Sequence, residues 1–307
     1  MSGFYRIVFS FGIAVFLFFL SLPAHAQAAN LTNKPLDATD FLKLGVKDAQ
    51  EKNYQKAFEY FTQAIQLNDK FALAYSNRCL VALQLENYAK AAEDCTAALN
   101  LNPNNTEAYL NRGLAYYRLG NYSEAISEYA EVIRRNRNDF RAYYNRGLAR
   151  FELKDYEGAI ADYNQALNQS QLPSALLADI YNDRGLAQLM LENMQNAIAD
   201  FSLAISLNDD NYRAFYNRAC ACHRNGDLLA AIQDFTLALK LDPNHAEAYV
   251  NRGLLRHELG LQQAALSDLK MASRRFEEQG NSMAHQHTLA LIERLQHIIQ
   301  LSNYAIA

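Results

Sequence analysis

The sequence predicts an all-α fold, an α-solenoid of seven stacked helix-turn-helix units followed by a C-terminal capping helix. Three observations carry this. The dipeptide Asn-Arg, once Asp-Arg, recurs at Asn77-Arg78, Asn111-Arg112, Asn145-Arg146, Asp183-Arg184, Asn217-Arg218 and Asn251-Arg252, 34 residues apart except for one interval of 38. When the units are counted from Ala38, Ala72, Thr106, Phe140, Ala178, Tyr212 and Ala246, position 4 is always aromatic and position 20 always Ala. Apolar residues spaced by three and four then define a helical stripe in each half of the unit. Units of this kind cannot bury their own apolar faces and build a core only by packing in series.

Residues 1–26 carry one charge, Arg6, then the apolar run Ile7–Leu20 and the small residues around Pro23-Ala24-His25-Ala26. This reads as a secretory signal peptide cleaved after Ala26, since a run of 14 is shorter than the roughly 20 residues a membrane helix needs. Export through the general secretory route follows, with no stable membrane span after cleavage. Cleavage removes Arg6 and no acid, so 29 basic residues become 28 against 33 acidic ones and the net charge goes from −4 to −5. A balance of that sign is not built for nucleic acid. Residues 27–37, small, polar and containing Pro35, are expected to be a flexible entry.

The seven units span 38–71, 72–105, 106–139, 140–173, 178–211, 212–245 and 246–279, with an insertion at 174–177 that should interrupt regular stacking near Pro173. Position 8 is Gly45, Gly113, Gly147, Gly185 and Gly253, with Cys79 and Ala219 in the other two. Position 24 is Phe61, Cys95, Tyr129, Tyr163, Phe201, Phe235 and Leu269. The small residue at 8 is expected to face Ala at 20 so that the two backbones approach closely, with the position-4 ring covering the end of the seam. Residues 280–304 have helical spacing at Met283, Leu291, Ile292, Leu295, Ile298 and Ile299, which suits a capping helix; a docking helix for a partner is the alternative.

This pattern resembles the tetratricopeptide repeat family, with its small residues at 8, 20 and 27, aromatics at 4 and 24, and Pro at 32. The resemblance covers about 240 residues, 38–279. Two departures stand out: Pro at 32 survives only at Pro103 and Pro243, and position 7 is Arg in six units where the family has Leu. The resemblance implies a right-handed superhelix and a concave wall lined by positions 2, 5, 9, 12 and 13 of the first helices. The Asn-Arg-Gly-Leu units are similar to those of exported proteins of photosynthetic bacteria, which implies a periplasmic or thylakoid-lumen location.

The six position-7 arginines coincide with an acid at position 23, giving Arg78 with Asp94, Arg112 with Glu128, Arg146 with Asp162, Arg184 with Asp200, Arg218 with Asp234 and Arg252 with Asp268. The first unit lacks both, having Leu44 and Tyr60. Joint presence and absence points to structural ion pairs within a hairpin or between neighbours. The wall positions read as an apolar, aromatic groove, with Leu110, Leu114, Tyr117, Tyr144, Leu148, Phe151 and Tyr216 as anchors and Asn77, Asn111, Asn145 and Asn217 available to bond a partner's backbone. Position 9 is expected to pack and positions 5 and 12 to stay open. The carboxylate clamp of co-chaperones is not expected: the matching positions hold Leu42, Val46, Asn77, Glu107 and Asn111, and only Asn77 agrees.

Four cysteines in an exported chain raise the question of a disulfide. Cys79 and Cys95 fall on facing helices, but with their Cα atoms taken to be a helical turn out of register, two buried thiols are expected ahead of a bridge. Cys220 and Cys222 point to different sides of one helix and are read as packing residues, not metal ligands. No metal or other cofactor is expected. His257, His285, His287 and His297 are read as scattered side chains, and the sequence has no Gly-x-Ser-x-Gly elbow, phosphate loop or His-Glu-x-x-His pair. The expected function is a non-enzymatic adaptor that holds a protein or peptide partner in the assembly or localisation of an envelope or membrane complex, with self-association as a second possibility.

Overall fold

A computed structural model describes residues 35–168 and 172–306, without the side chains of 302–306. The signal segment 1–26, most of the entry, and the link at 169–171 lie outside the described residues. The chain divides into two compact units, 1–170 and 171–307.

In the first, four hairpins follow in order: α1 (Ala38–Gln50) with α2 (Tyr54–Leu67), α3 (Ala72–Gln84) with α4 (Tyr88–Leu101), α5 (Thr106–Arg118) with α6 (Tyr122–Arg135), and α7 (Phe140–Glu152) with α8 (Tyr156–Leu167). The second holds α9 (Ser174–Met190) with α10 (Met194–Leu207), α11 (Tyr212–Arg224) with α12 (Leu228–Leu241), α13 (Ala246–Glu258) with α14 (Gln262–Glu278), and then α15 (Ser282–Ile306). Within each compact unit every helix packs on the next, and first helices of successive hairpins also touch. All described elements are helices. Residues 174–177, read from the sequence as an inserted link, are instead the first turn of α9, begun by Pro173, whose fixed φ is compatible with a helix start.

The turn inside every hairpin uses one left-handed residue at position 15. Gly120, Gly226 and Gly260 supply it freely, and Lys52, Glu86, Lys154 and Glu192 adopt the same conformation at φ of 57 to 64°. The next residue starts the second helix, and at Asn87 and Asp155 its side chain accepts a backbone N–H of the first turn.

The seam between the two helices differs from the sequence expectation. Position 8 is filled by the ring at position 24, not by Ala at 20. A Cβ built on Gly147 would lie 2.6 Å from the Tyr163 ring, and one on Gly45 would lie 2.5 Å from Phe61. At Gly253, where position 24 is the smaller Leu269, the carbonyl of Ala265 at position 20 is among the nearest atoms, at 3.3 Å. The ring at 24 takes the space beside a small residue at 8, Gly in four repeats and Ala219 against Phe235 in the sixth, so the two positions form one packing unit.

That coupling explains a second correction. Cys79 and Cys95 occupy positions 8 and 24 of the same hairpin, their Cα atoms are 5.4 Å apart, and they form a disulfide. The two positions stand directly opposite, not a turn out of register, so the bridge replaces the glycine-ring contact made elsewhere. Both cysteines are fully buried.

At the C-terminus α15 sets Ile292 and Leu295 against Ala265 and Leu269 of α14. It occupies the place that a further first helix would take, while Met283 and Leu301 face outward.

Candidate functional site

Each position-7 arginine reaches across its own hairpin to the acid at 23. Arg78 donates from Nε and Nη2 to the two oxygens of Asp94, both at 2.7 Å. Arg146, Arg184, Arg218 and Arg252 engage Asp162, Asp200, Asp234 and Asp268 through the same two nitrogens. Glu128 is one methylene longer and meets Arg112 end-on, taking Nη2 on both oxygens at 2.9 Å and leaving Arg112 Nε without a partner. Burial pushes the Glu128 carboxyl above its usual range, with Arg112 opposing.

The same guanidinium also ties one hairpin to the one before. Nη1 of Arg78, Arg112, Arg218 and Arg252 donates to Thr62, Thr96, Ser202 and Thr236, the position-25 hydroxyls of the preceding hairpins, at 3.0 to 3.1 Å. These hydroxyls were missed in the sequence; their shared offset from each arginine was the available signal. The ring at position 4 lies under the guanidinium, at 5.2 Å for Tyr181 and Arg184 and 5.8 Å for Phe215 and Arg218, and so does more than cover the seam end. Asp162 and Asp268 each take a second arginine, Arg150 and Arg256. The paired arginines are structural.

The wall of first helices in the 1–170 unit is more closed than the sequence suggested. Leu110 and Leu114 are buried, and Tyr144 is 1% exposed, packed 6.0 Å centroid to centroid from Tyr163. Position 5 was expected to be open and is the shut one, because its side chain packs into the core: Tyr144 against Tyr163 of its own second helix, and Leu110 in a cluster with Ala125, Tyr129 and Ala142. Asn77 and Asn145 are buried as well, and Asn111 is half-buried. The anchors that stay partly exposed are Tyr117, Leu148 and Phe151. Tyr117 stands edge-on to Tyr122 at 5.5 Å, and Phe151 edge-on to Tyr156 at 5.3 Å, so both rings are held in place by the start of the second helix. Arg118, which follows Tyr117 in the chain, lies over Tyr88.

The corresponding wall of the 171–307 unit mixes the apolar side chains of Leu186, Val250 and the exposed Leu254 with polar groups bonded between first helices. Asn217 donates to Asn182 Oδ1 at 3.0 Å, and Asn251 donates to the Tyr216 hydroxyl at 3.0 Å, each linking one first helix to the one before. These amide N–H groups are therefore engaged by the chain itself. Tyr216 packs against His245 at 4.6 Å and against Phe235. His245 caps α13 through Nδ1, which accepts from Ala248 N, and burial lowers its pKa below the usual value. Cys220 is a free thiol that burial pushes up to about 12, and Cys222 is free and buried. His285 bonds the Ser273 carbonyl while His257 meets Gln262, so the histidines do not converge. Among the described residues no group of three or more His, Cys, Asp and Glu could hold a metal ion.

Family models described as tetratricopeptide repeat match residues 42–106, 78–138 and 110–175, and single repeats match 178–211 and 212–245. The chain belongs to the tetratricopeptide repeat family. No curated protein matches it. Among solved structures, a tetratricopeptide repeat protein from Parabacteroides merdae shares 19% identity over 82% of this chain and 98% of its own, with a TM-score of 0.62. Pseudomonas aeruginosa pilF shares 20% over 72% and 98%, at 0.60. YrrB, titled a TPR protein with an unusual peptide-binding site, shares 22% over 65% and 99%, at 0.52.

Tetratricopeptide repeats are non-catalytic protein-interaction scaffolds, and this chain has the all-helical paired architecture of that family. Its own variation is the position-7 arginine, which converts an apolar contact into a bidentate pair plus a tie to the neighbouring repeat. Asn77, the one side chain agreeing with the co-chaperone clamp, is buried and cannot meet a ligand carboxylate. Among the described residues no helix is long and apolar enough to cross a membrane.

Proposed function

We propose that this chain is an exported adaptor that holds a protein or peptide partner during assembly or localisation of an envelope or membrane complex. The observation that carries the reading is the pair of partly exposed rings Tyr117 and Phe151, repeated one hairpin apart and each braced by a second-helix tyrosine. Rigid aromatic side chains on a preformed surface suit partner binding because little conformational entropy is lost on contact. YrrB, of the same fold, carries an unusual peptide-binding site. Export, periplasmic or into a thylakoid lumen, is supported by the signal-like residues 1–26 and by the buried Cys79–Cys95 bridge, because such bonds persist in oxidising compartments.

Two measurements test this. The mass of the protein isolated from cells should match a chain starting at Gln27; a chain retaining residues 1–26 in the cytoplasm counts against export. A photo-crosslinking amino acid in place of Phe151 should yield a discrete adduct in the native compartment, while one in place of the outward-facing Glu124 should not. Equal labelling from both sites would remove the wall as the contact face. Self-association is the second reading, favoured by the outward Met283 and Leu301 of α15, 70% and 56% exposed. In that case a photo-crosslinker in place of Met283 yields an adduct of twice the mass of the chain.

A further inference from the structure

Position 17, the first residue of each second helix, is Tyr54, Tyr88, Tyr122 and Tyr156 in the four hairpins of the 1–170 unit, and Met194, Leu228 and Gln262 in the other three. A hairpin therefore closes without a ring at this place, and folding does not call for four tyrosines in succession. All four are half-buried, so part of each ring meets solvent. Tyr122 and Tyr156 are held edge-on by first-helix rings, Tyr117 at 5.5 Å and Phe151 at 5.3 Å. The turns of successive hairpins also adjoin. Leu85, at position 14 of the second hairpin, faces Tyr54 and Lys56 of the first across an open hollow of about 570 Å³. Arg118, at position 13 of the third, lies 5.9 Å from the Tyr88 ring of the second.

The step of this ladder selects what can lie along it. First helices of successive hairpins touch, and packed helix axes stand about 8–10 Å apart. A bound chain must return the same face at that interval. A β-strand does so every two residues, about 6.7 Å. An α-helix does so after one turn or two, about 5.4 or 10.8 Å. Polyproline II does so every three residues, about 9.3 Å, and alone falls within the range. Its carbonyls are all turned outward and proline has no N–H, so it needs donors, which tyrosine hydroxyls and the Arg118 guanidinium supply. Position 15 on the turns reads Lys52, Glu86, Gly120 and Lys154, so neither sign of charge is favoured along the ladder and an uncharged segment suits it.

We propose that the position-17 tyrosines of the 1–170 unit bind an uncharged proline-rich segment in the polyproline II form, with every third residue lying on a ring and the hydroxyls donating to its carbonyls. Aromatic faces that meet such a preformed helix lose little entropy on contact. Four rings span three steps, about 28 Å, which ten residues of this form cover. The inference rests on the reading of Tyr117 and Phe151 as part of a partner-binding surface and names the chemistry of that partner.

The test titrates the full chain into fluorescein-labelled decaproline and follows fluorescence anisotropy, with pentaproline, pentadecaproline and a ten-residue Gly-Ser peptide beside it. Decaproline should bind saturably, and pentaproline, which reaches two rings, at least about tenfold more weakly. Pentadecaproline should gain only the few-fold that its extra placements allow, because there is no fifth tyrosine to meet. Tyr88→Leu with Tyr122→Leu copies Leu228 of the sixth hairpin and should weaken decaproline about tenfold or more with urea unfolding unchanged. Should the leucine pair lower stability, Tyr88→Phe with Tyr122→Phe keeps both rings and must still bind at least about threefold more weakly, for want of two hydroxyls. Equal binding of the Gly-Ser peptide, a folded leucine variant that binds like the parent, or no saturable binding of decaproline overturns the proposal. A Phe151 adduct from a chain that ignores decaproline keeps the contact face and removes only the proline-rich partner. Decaproline binding without that adduct does the reverse.

Discussion

Arg78→Leu is expected to destabilise the protein by about 3 kcal/mol, the low end for breaking a buried ion pair, because Asp94 loses its bidentate partner and keeps only Lys90, 3.3 Å away. The magnitude follows from burial: Arg78 is 7% and Asp94 1% exposed. The variant also loses the Thr62 hydrogen bond and with it a tie to the first repeat. Arg146→Leu should cost less, about 1–3 kcal/mol, because Arg146 is more exposed than Arg78 and Arg150 keeps a full hydrogen bond to Asp162 at 2.9 Å. Urea unfolding of both variants checks the order. The double variant Arg78→Leu, Asp94→Leu should recover most of the loss, since two apolar side chains of suitable volume remove the stranded charge. A single Arg78→Leu variant as stable as its parent would mean that the pair does not hold the second hairpin together.

Reduction of the Cys79–Cys95 bridge is expected to cost about 3 kcal/mol, the chain-entropy value for a closed loop of this length. The residues are 16 apart in sequence and join the two helices of one repeat. The same loss should follow from Cys79→Ala with Cys95→Ala. The repeat supplies its own rescue: Cys79→Gly with Cys95→Phe copies the pair Gly45 and Phe61, where the ring fills the space above the glycine. That variant should regain much of the stability and become indifferent to reducing agent. Unfolding with and without dithiothreitol separates the outcomes. A parent protein unaffected by reduction would show that the bridge contributes nothing beyond the packing already present.

The helical pairing was legible because position 4, position 20 and the Asn-Arg dipeptide repeat in register, and periodicity survives without knowledge of side-chain direction. The arginine and acid partners were legible for the same reason, since the first repeat lacks both Leu44's counterpart arginine and Tyr60's counterpart acid. What the sequence obscured was which position faces which. Opposition of 8 and 24 depends on the rotation of each helix about its axis, and an error there turned a disulfide into two thiols. It was recoverable in principle, because Cys replaces the small residue at 8 and the ring at 24 in the same repeat and nowhere else. The wall failed for a related reason. Apolar character at position 5 is equally suited to core packing, and Leu110 and Tyr144 are consumed that way, while Leu114 at position 9 packs as expected. The extra turn of α9 was obscured by Pro173, which reads as a break yet is well suited to begin a helix.

The scaffold reading depends on Tyr117 and Phe151 meeting a partner, and one measurement addresses it directly. A photo-crosslinker in place of Arg118, the residue after Tyr117, is compared in an otherwise unchanged chain and in one carrying Tyr117→Ala and Phe151→Ala. Loss of two aromatic contacts should reduce the partner adduct by about tenfold or more, with cooperative unfolding and helix content retained. An undiminished adduct from the folded double variant would contradict the account.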